Sequence, residues 1–416
     1  MKWVGFRIDS ILTIEGIHKR KFGVEKRKSL LLALLSTSHG INHIYQLLIP
    51  IVIPRIIDEF LLSTTSAAIL ISVFVLSYSI FQAPSGFLSR VLGRKNIIVV
   101  GFGITSFSFL AVGFVNDLML LAILFFLAGV GGSTYHPNGM PLLSEFYEEN
   151  RGQAAGFHQT GGSLGAIVAP LIIGPLVVSF SWRFAIIILS ILGIVFALAL
   201  LLLLTVPRQQ VFEKNPRPEI NESKESGFKT YLPSLILIAA AMTQSLGIRG
   251  VDSFAVLYFQ MGRGITSYLE ATLLFATLKV AGLFSGPLCG RLSDVFERKR
   301  TIVVLVILEA CSLYLLTIVP TDILAIPCLI FGFSTYGLLG TTDAFLADIT
   351  PRDYMAAIFG FHFTLSFFNQ VIISPIFGLI VDYSKSFDIG FVMLSAIALT
   401  GLPILHKVKT KSELIN

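Results

Sequence analysis

The sequence predicts an all-α membrane protein in which twelve transmembrane helices form two pseudo-symmetric six-helix bundles. Three observations carry this prediction. Only 13% of the 416 residues are charged and 54% are hydrophobic, against about a quarter charged in a soluble chain. Apolar runs of 18 or more residues recur from end to end, and each can cross a hydrocarbon core of ~30 Å as a helix. Motifs of the first half also return in the second at a nearly constant offset.

Taken in order, residues 1–28 carry charge throughout, and their apolar runs are too short for a signal-peptide core. Val4, Ile8, Ile11, Leu12 and Ile14 make either a weakly amphipathic segment on the membrane surface or part of a disordered tail. Helices are predicted over 30–53, 67–88, 97–115, 118–143, 153–178 and 184–206. A second set follows over 232–258, 269–292, 302–319, 323–346, 355–380 and 390–405. Asn116 and Asp117 alone divide helices 3 and 4, and the stretch "SFSWR" turns helix 5 into helix 6. Residues 207–230 form the long polar linker between a bundle at 29–206 and another at 231–405, and residues 406–416 form a tail. Cys289, Cys311 and Cys328 all lie in apolar runs, where they read as small core residues rather than a disulfide or zinc framework.

Orientation follows from Lys and Arg. Of the 31, all but six fall in segments that twelve spans place on one side, together with both termini. Arg55, Arg263 and Lys385 fall on the other side, and Arg183, Arg249 and Lys279 lie in or beside spans. Cytoplasmic loops carry the excess of basic residues, so the chain is expected in the cell membrane with both termini cytoplasmic. That asymmetry accounts for the net charge of +6 without a nucleic-acid partner.

The halves are related in sequence. "GFLSRVLGRKN" at 86–96 and "GRLSDVFERKR" at 290–300 agree at six of eleven positions, at an offset of 204. Gly156-Phe157-His158 returns as Gly360-Phe361-His362 at the same offset, and Asp117 and Asp322 head helices 205 apart. Internal repeats of this kind occur in transporter folds, whose substrates bind between the repeats near the midplane.

The loop after helix 2 resembles the signature of the major facilitator superfamily, roughly G-x-L-a-D-r-x-G-r-k. Gly86, Leu88, Gly93, Arg94 and Lys95 fit it, while Arg90 stands at the acidic position. In the second copy Gly290, Leu292, Asp294, Arg298 and Lys299 fit, with Glu297 in place of the later glycine. "GSTYHPNG" at 132–139 and "GFHQTGGSLGAIVAPLIIGP" at 156–175 are similar to the fosmidomycin-resistance type of drug exporter within that superfamily. The resemblance implies that helices 1, 4, 7 and 10 line a central cavity, that 2, 5, 8 and 11 flank it, and that 3, 6, 9 and 12 lie outside. It also implies that the two loops latch neighbouring helices while the inner gate is closed. Asp294 then pairs with an arginine or a helix N-terminus, and Arg90 cannot take that role. These basic loops also set topology on any reading.

A charge at the bilayer centre costs at least ~2.5–3.5 kcal/mol, so polar residues within spans should face protein or water. Those in question are His39, Asn42, His43 and Gln46 on helix 1, His136 and Asn138 on helix 4, and His158 and Gln159 on helix 5. The second half adds Gln244, Arg249 and Asp252 on helix 7, Lys279 on helix 8, Asp343 on helix 10, and His362, Asn369 and Gln370 on helix 11. His39, Asn42, His43 and Gln46 share a helix face at three- and four-residue spacing. That stripe faces either a wet cavity or a hydrogen-bonded helix seam. "HGINH" has the spacing of a helical metal site but lacks the glutamate of H-E-x-x-H, and no third ligand is evident, so no metal or cofactor is expected.

Arg249 and Asp252 form an intrahelical pair or a site in which the acid readies the arginine for an anion. Lys279 is a substrate-binding candidate or the partner of Glu309 or Asp343. Histidine titrates near neutrality, so His158 and His362, with Asp343, are candidates for proton coupling. His136 precedes Pro137 where helix 4 kinks, and could instead cap freed backbone groups. Glu309 is a misfit on helix 9, which should face lipid. The expected function is secondary active transport of a small organic solute, anionic or a drug, by a monomer coupled to protons. Export is favoured by the Gly/Pro-rich helix 5, common in the family's antiporters. Import of a sugar or carboxylate, a metal-dependent membrane enzyme and a non-transporting sensor are the alternatives. No P-loop for ATP-driven transport is present.

Overall fold

The computed structural model describes residues 5–147, 150–205, 231–351 and 354–408, with side chains from residue 26 onward apart from those of Arg151 and Ala356. The 207–230 linker, the tail beyond Val408 and the side chains of the proposed N-terminal amphipathic segment lie outside it. The described residues form helices only. In the first half these are α1 (Gly5–Phe60), α2 (Thr64–Ile80), α3 (Gln82–Leu92), α4 (Arg94–Val112), α5 (Leu118–Gly132), α6 (His136–Phe146), α7 (Arg151–Ser179) and α8 (Trp182–Leu203). The second half holds α9 (Leu232–Leu257), α10 (Tyr268–Val280), α11 (Gly282–Phe296), α12 (Arg298–Ile318), α13 (Ala325–Ile349), α14 (Met355–Ser384) and α15 (Phe387–His406).

Among the described residues eleven helical segments are long and apolar enough to cross a membrane, and α2 with α3, bent by 42°, supplies a twelfth. Three spans are therefore broken in two: α2–α3 is span 2, α5–α6 is span 4 and α10–α11 is span 8. The break in span 4 falls just before His136-Pro137, where proline removes a backbone donor and crowds the preceding turn. Span 1 extends past its predicted end and continues through Pro50 and Pro54 to Phe60. Caps set other boundaries. Asp117 accepts from Leu120 N at 2.8 Å, and Ser181 from Phe184 N at 3.1 Å, satisfying orphan helix donors.

The repeat extends to the backbone. Gly93 has φ 83° and ψ 141°, and Glu297, 204 residues on, has φ 79° and ψ 132°. Each opens the next span from a left-handed conformation that favours glycine. Lys95 donates to the Leu201 carbonyl, and Lys299 to that of His406, tying spans 3 and 9 to the ends of spans 6 and 12.

The halves meet through span 2 against span 11 and span 5 against span 8, the symmetric pairing. Asp382 at the end of α14 accepts from Thr64 N (3.0 Å), Thr65 N (2.8 Å) and Thr65 Oγ1 (2.6 Å) at the start of α2. Tyr268 donates to the Ile51 carbonyl, and Arg55 lies 4.9 Å from the Tyr268 ring centre. These contacts lie in the half of the bundle away from the termini. The cleft between the halves is therefore closed at that far end.

Small residues let spans 1 and 5 approach. A Cβ at Gly161 would overlap the Ser36 carbonyl, and one at Gly165 would overlap Gly40 backbone. The glycines of α7 thus serve helix contact, which gives the Gly/Pro-rich pattern a packing cause. Two expectations are corrected. Glu309 does not face lipid: it is fully buried, its carboxyl set against Gly247 with neither oxygen hydrogen-bonded. Cys289 and Cys328 are buried, but Cys311 is exposed on the outer face of α12, so it is no core residue.

Candidate functional site

The polar stripe of α1 divides into a seam and a wall. Asn42 is buried, and its amide donates to the Gly132 carbonyl at 3.1 Å. Its oxygen accepts from Gln46 Nε2 at 2.6 Å and from the Tyr78 hydroxyl at 3.0 Å. Gln46 also donates to Tyr78 Oη at 2.9 Å. Asn42 therefore knots spans 1, 2 and 4 together, with both its amide and its oxygen engaged. Gln46 and His43 are only part-buried and supply the wall.

The histidines collect into one cluster. His39 Nδ1 lies 2.9 Å from the His158 carbonyl, which can only accept, so Nδ1 carries the proton and Nε2 the lone pair. His43 Nε2 sits 3.2 Å from that nitrogen. The His39 ring stacks on His158 with centres 4.4 Å apart and meets His136 edge-on at 5.3 Å. The Tyr135 hydroxyl donates to the Leu35 carbonyl, and His158 Nε2 lies 2.8 Å from the same oxygen. His158 therefore donates there and carries its proton on Nε2. The sequence put these histidines on three helices; the structure brings all four together. Asn138 is buried and donates to the Thr134 carbonyl at 2.8 Å, closing the break in span 4.

The second half supplies the opposing wall. Lys279 is hydrogen-bonded to Asp252, and Arg249 lies 3.8 Å from the other oxygen of the same carboxylate. Lys279 therefore pairs with neither Glu309 nor Asp343. Arg249 is held from behind: its Nε donates to the Ser366 carbonyl at 3.1 Å, and its guanidinium lies 4.5 Å from the Phe367 ring centre. Phe367 also lies 5.3 Å from Tyr78 and 5.9 Å from His136, ring centre to ring centre. Two cations sharing one carboxylate thus face a wall of imidazole, amide and phenol groups across the interface between the halves.

A family profile described as Major Facilitator Superfamily matches residues 35–374. The chain belongs to the major facilitator superfamily. Like other members it is a transporter rather than an enzyme, and it is a multi-pass membrane protein. Similar proteins include the probable galactarate/D-glucarate transporter GudP of Bacillus subtilis (strain 168), 25% identical over 386 residues, 82% of this chain and 83% of that one. The probable L-galactonate transporter of Escherichia coli (strain K12) is 22% identical and spans 93% of this chain and 90% of its own. The hexuronate transporter of Bacillus subtilis (strain 168) is 24% identical, over 86% of this chain and 89% of that one. In fold, the chain is similar to a bacterial homologue of the human lysosomal transporter Spinster in an inward-facing, unoccupied conformation. That match has a TM-score of 0.79 at 17% identity, covering 94% of this chain and 98% of the other.

The superfamily loops take asymmetric form here. Arg94 pairs with Glu145 of α6, and Arg298 with Asp348 of α13, equivalent partners in the two halves. Arg298 also meets Asp294 at 3.0 Å, as the signature implies. In the first copy Arg90 instead stands 5.2 Å from the Phe87 ring centre. Gly86 packs against Pro137, whereas Gly290 faces open space. Asp343 and His362 approach to 3.4 Å, the acid 36% exposed and the imidazole buried. Tyr78, Tyr135, Ser366 and Phe367 complete the site. In the sequence, Tyr135 stands three residues before Asn138, Ser366 four after His362 and Phe367 three before Gln370, each on the same span, whereas their partners across the site lie far away in the chain.

Proposed function

We propose that this chain carries a small hydroxylated monocarboxylate, such as a sugar acid, across the cell membrane by proton-coupled uptake. The observation that carries the reading is the charge count at the site. Arg249 and Lys279 share Asp252, leaving one uncompensated positive charge, which suits one carboxylate. Arginine adds forked donor geometry. The part-buried imidazole of His43 and amide of Gln46 suit the hydroxyl groups of the same solute. The relatives, named for transport of galactonate, hexuronate and galactarate, support the class.

An anion moving inward opposes an inside-negative potential by ~2.3 kcal/mol per 100 mV, so uptake needs at least one accompanying proton. Asp343 with His362, 3.4 Å apart, are the proposed carriers. The proposed frame is a monomer with cytoplasmic termini, bundles at 29–206 and 231–405, and substrate access by rocking of the halves. The glycine pattern that favoured export has a packing explanation, so the drug-exporter reading loses its support from α7.

The test is a panel of labelled hexuronate, hexonate, hexarate and neutral hexose in proteoliposomes under an imposed pH gradient. Accumulation of a monocarboxylate with the proton gradient, and none of the hexose, is expected. Equal uptake of the neutral hexose, or accumulation only against the gradient, overturns the reading.

A further inference from the structure

Within the wall of the first half, one group of side chains has a geometry that solute binding alone does not call for. The ligand-capable nitrogens of His39, His43 and His136 all lie within 4.8 Å of one another. Two come from successive turns of α1 and the third from the break in span 4. The His136 Nε2 atom is buried with no hydrogen-bond partner, which is costly for a polar atom unless something occupies its lone pair. His39 is already oriented: its Nδ1–H is held by the His158 carbonyl at 2.9 Å, turning the Nε2 lone pair inward. A second hydrogen bond of this kind is what fixes tautomer and ring angle in metal-binding histidines.

We propose that His39, His43 and His136 bind one divalent first-row transition metal ion. Imidazole nitrogens select zinc, cobalt, nickel or copper over magnesium and calcium. Metal–nitrogen bonds of ~2.0–2.1 Å in a tetrahedral site place the nitrogens ~3.3–3.4 Å apart. His39 and His43 already stand at 3.2 Å. His136, at a helix break, closes the remaining gap by side-chain rotation. His43 then holds its single proton on Nδ1, leaving Nε2 for the ion. Three histidines leave a fourth position, and the part-exposed sides of His43 and His136 turn it toward the cleft, where water or an anion completes it. The ion ties span 1 to span 4 within one half and does not bridge the halves. Arg249 and Lys279 repel a second cation across the cleft, so the site is weaker than a closed structural zinc site. The proposal does not depend on which solute is carried.

The test uses the full-length chain in detergent with any affinity tag removed, titrated with cobalt(II) by equilibrium dialysis and visible spectroscopy. One equivalent per chain is expected, with the absorption of a tetrahedral site. Binding should weaken at least about tenfold in both His136→Ala and His43→Asn, each checked for a monodisperse profile. His406→Ala, remote from the cluster, should bind like the parent, and Arg249→Gln should bind cobalt several-fold more tightly. No stoichiometric binding by the parent chain overturns the proposal. So does binding that persists unchanged in both cluster variants.

Discussion

Asp382 offers a quantitative handle on how the cleft is held closed. Its carboxylate takes three hydrogen bonds from the N-terminus of α2, at 2.6–3.0 Å, and so caps a helix of the opposite half. A typical hydrogen bond contributes about 0.5–1.5 kcal/mol net, and one to a charged group about twice that. The helix dipole adds about 0.3–1 kcal/mol. Because the carboxylate is only part-buried, solvent screening discounts even the lower ends, and the latch is worth about 2–3 kcal/mol in total. Asp382→Ala should therefore shift the balance between far-side-closed and far-side-open states about 30- to 150-fold toward open. Spin labels at Ser63 and Tyr383, on a background with Cys311 replaced, report the distance across the latch. The variant should populate a longer distance that the parent lacks. An unchanged distance distribution, with protein still folded in the membrane, would refute the latch and the assignment of the closed end.

Two further substitutions test the packing and backbone arguments. Glu297 occupies the conformation that Gly93 occupies in the first half, so Glu297→Gly should raise stability by roughly 1 kcal/mol, read as a higher midpoint in a thermal-unfolding assay in detergent; a lower midpoint contradicts the strain argument. Gly165→Leu forces a side chain into the Gly40 backbone and should cost about 1–3 kcal/mol or more, with loss of monodisperse protein, whereas Gly152→Ala at an open position should change little.

The twelve spans were legible because apolar length is a one-dimensional property, and the repeat because the G…RK loops keep one spacing. What depends on helix rotation was not. Lys279 and Asp252 are 27 residues apart on different spans, and only the approach of α9 to α10 shows that they pair. His136 joins His39 and His43 because span 4 breaks beside α1, and no spacing encodes that. Asn42 and Gln46 lie on one face, as i and i+4 dictate, yet the neighbouring Tyr78 turns Asn42 into a seam and leaves Gln46 at the wall. Glu309 looked lipid-facing by its place on span 9; a glycine opposite, Gly247, makes the room that buries it.

The central claim is that Arg249 and Lys279 hold an anion between the two halves. Exchange of labelled hexuronate and hexonate by proteoliposomes containing the parent chain, Arg249→Ala or Lys279→Ala tests it most directly. Loss of a charged hydrogen bond of about 1.5–3 kcal/mol predicts about 10- to 150-fold weaker apparent affinity in each variant, with protein still in the membrane. Exchange at the parent rate and affinity in both variants would contradict the account.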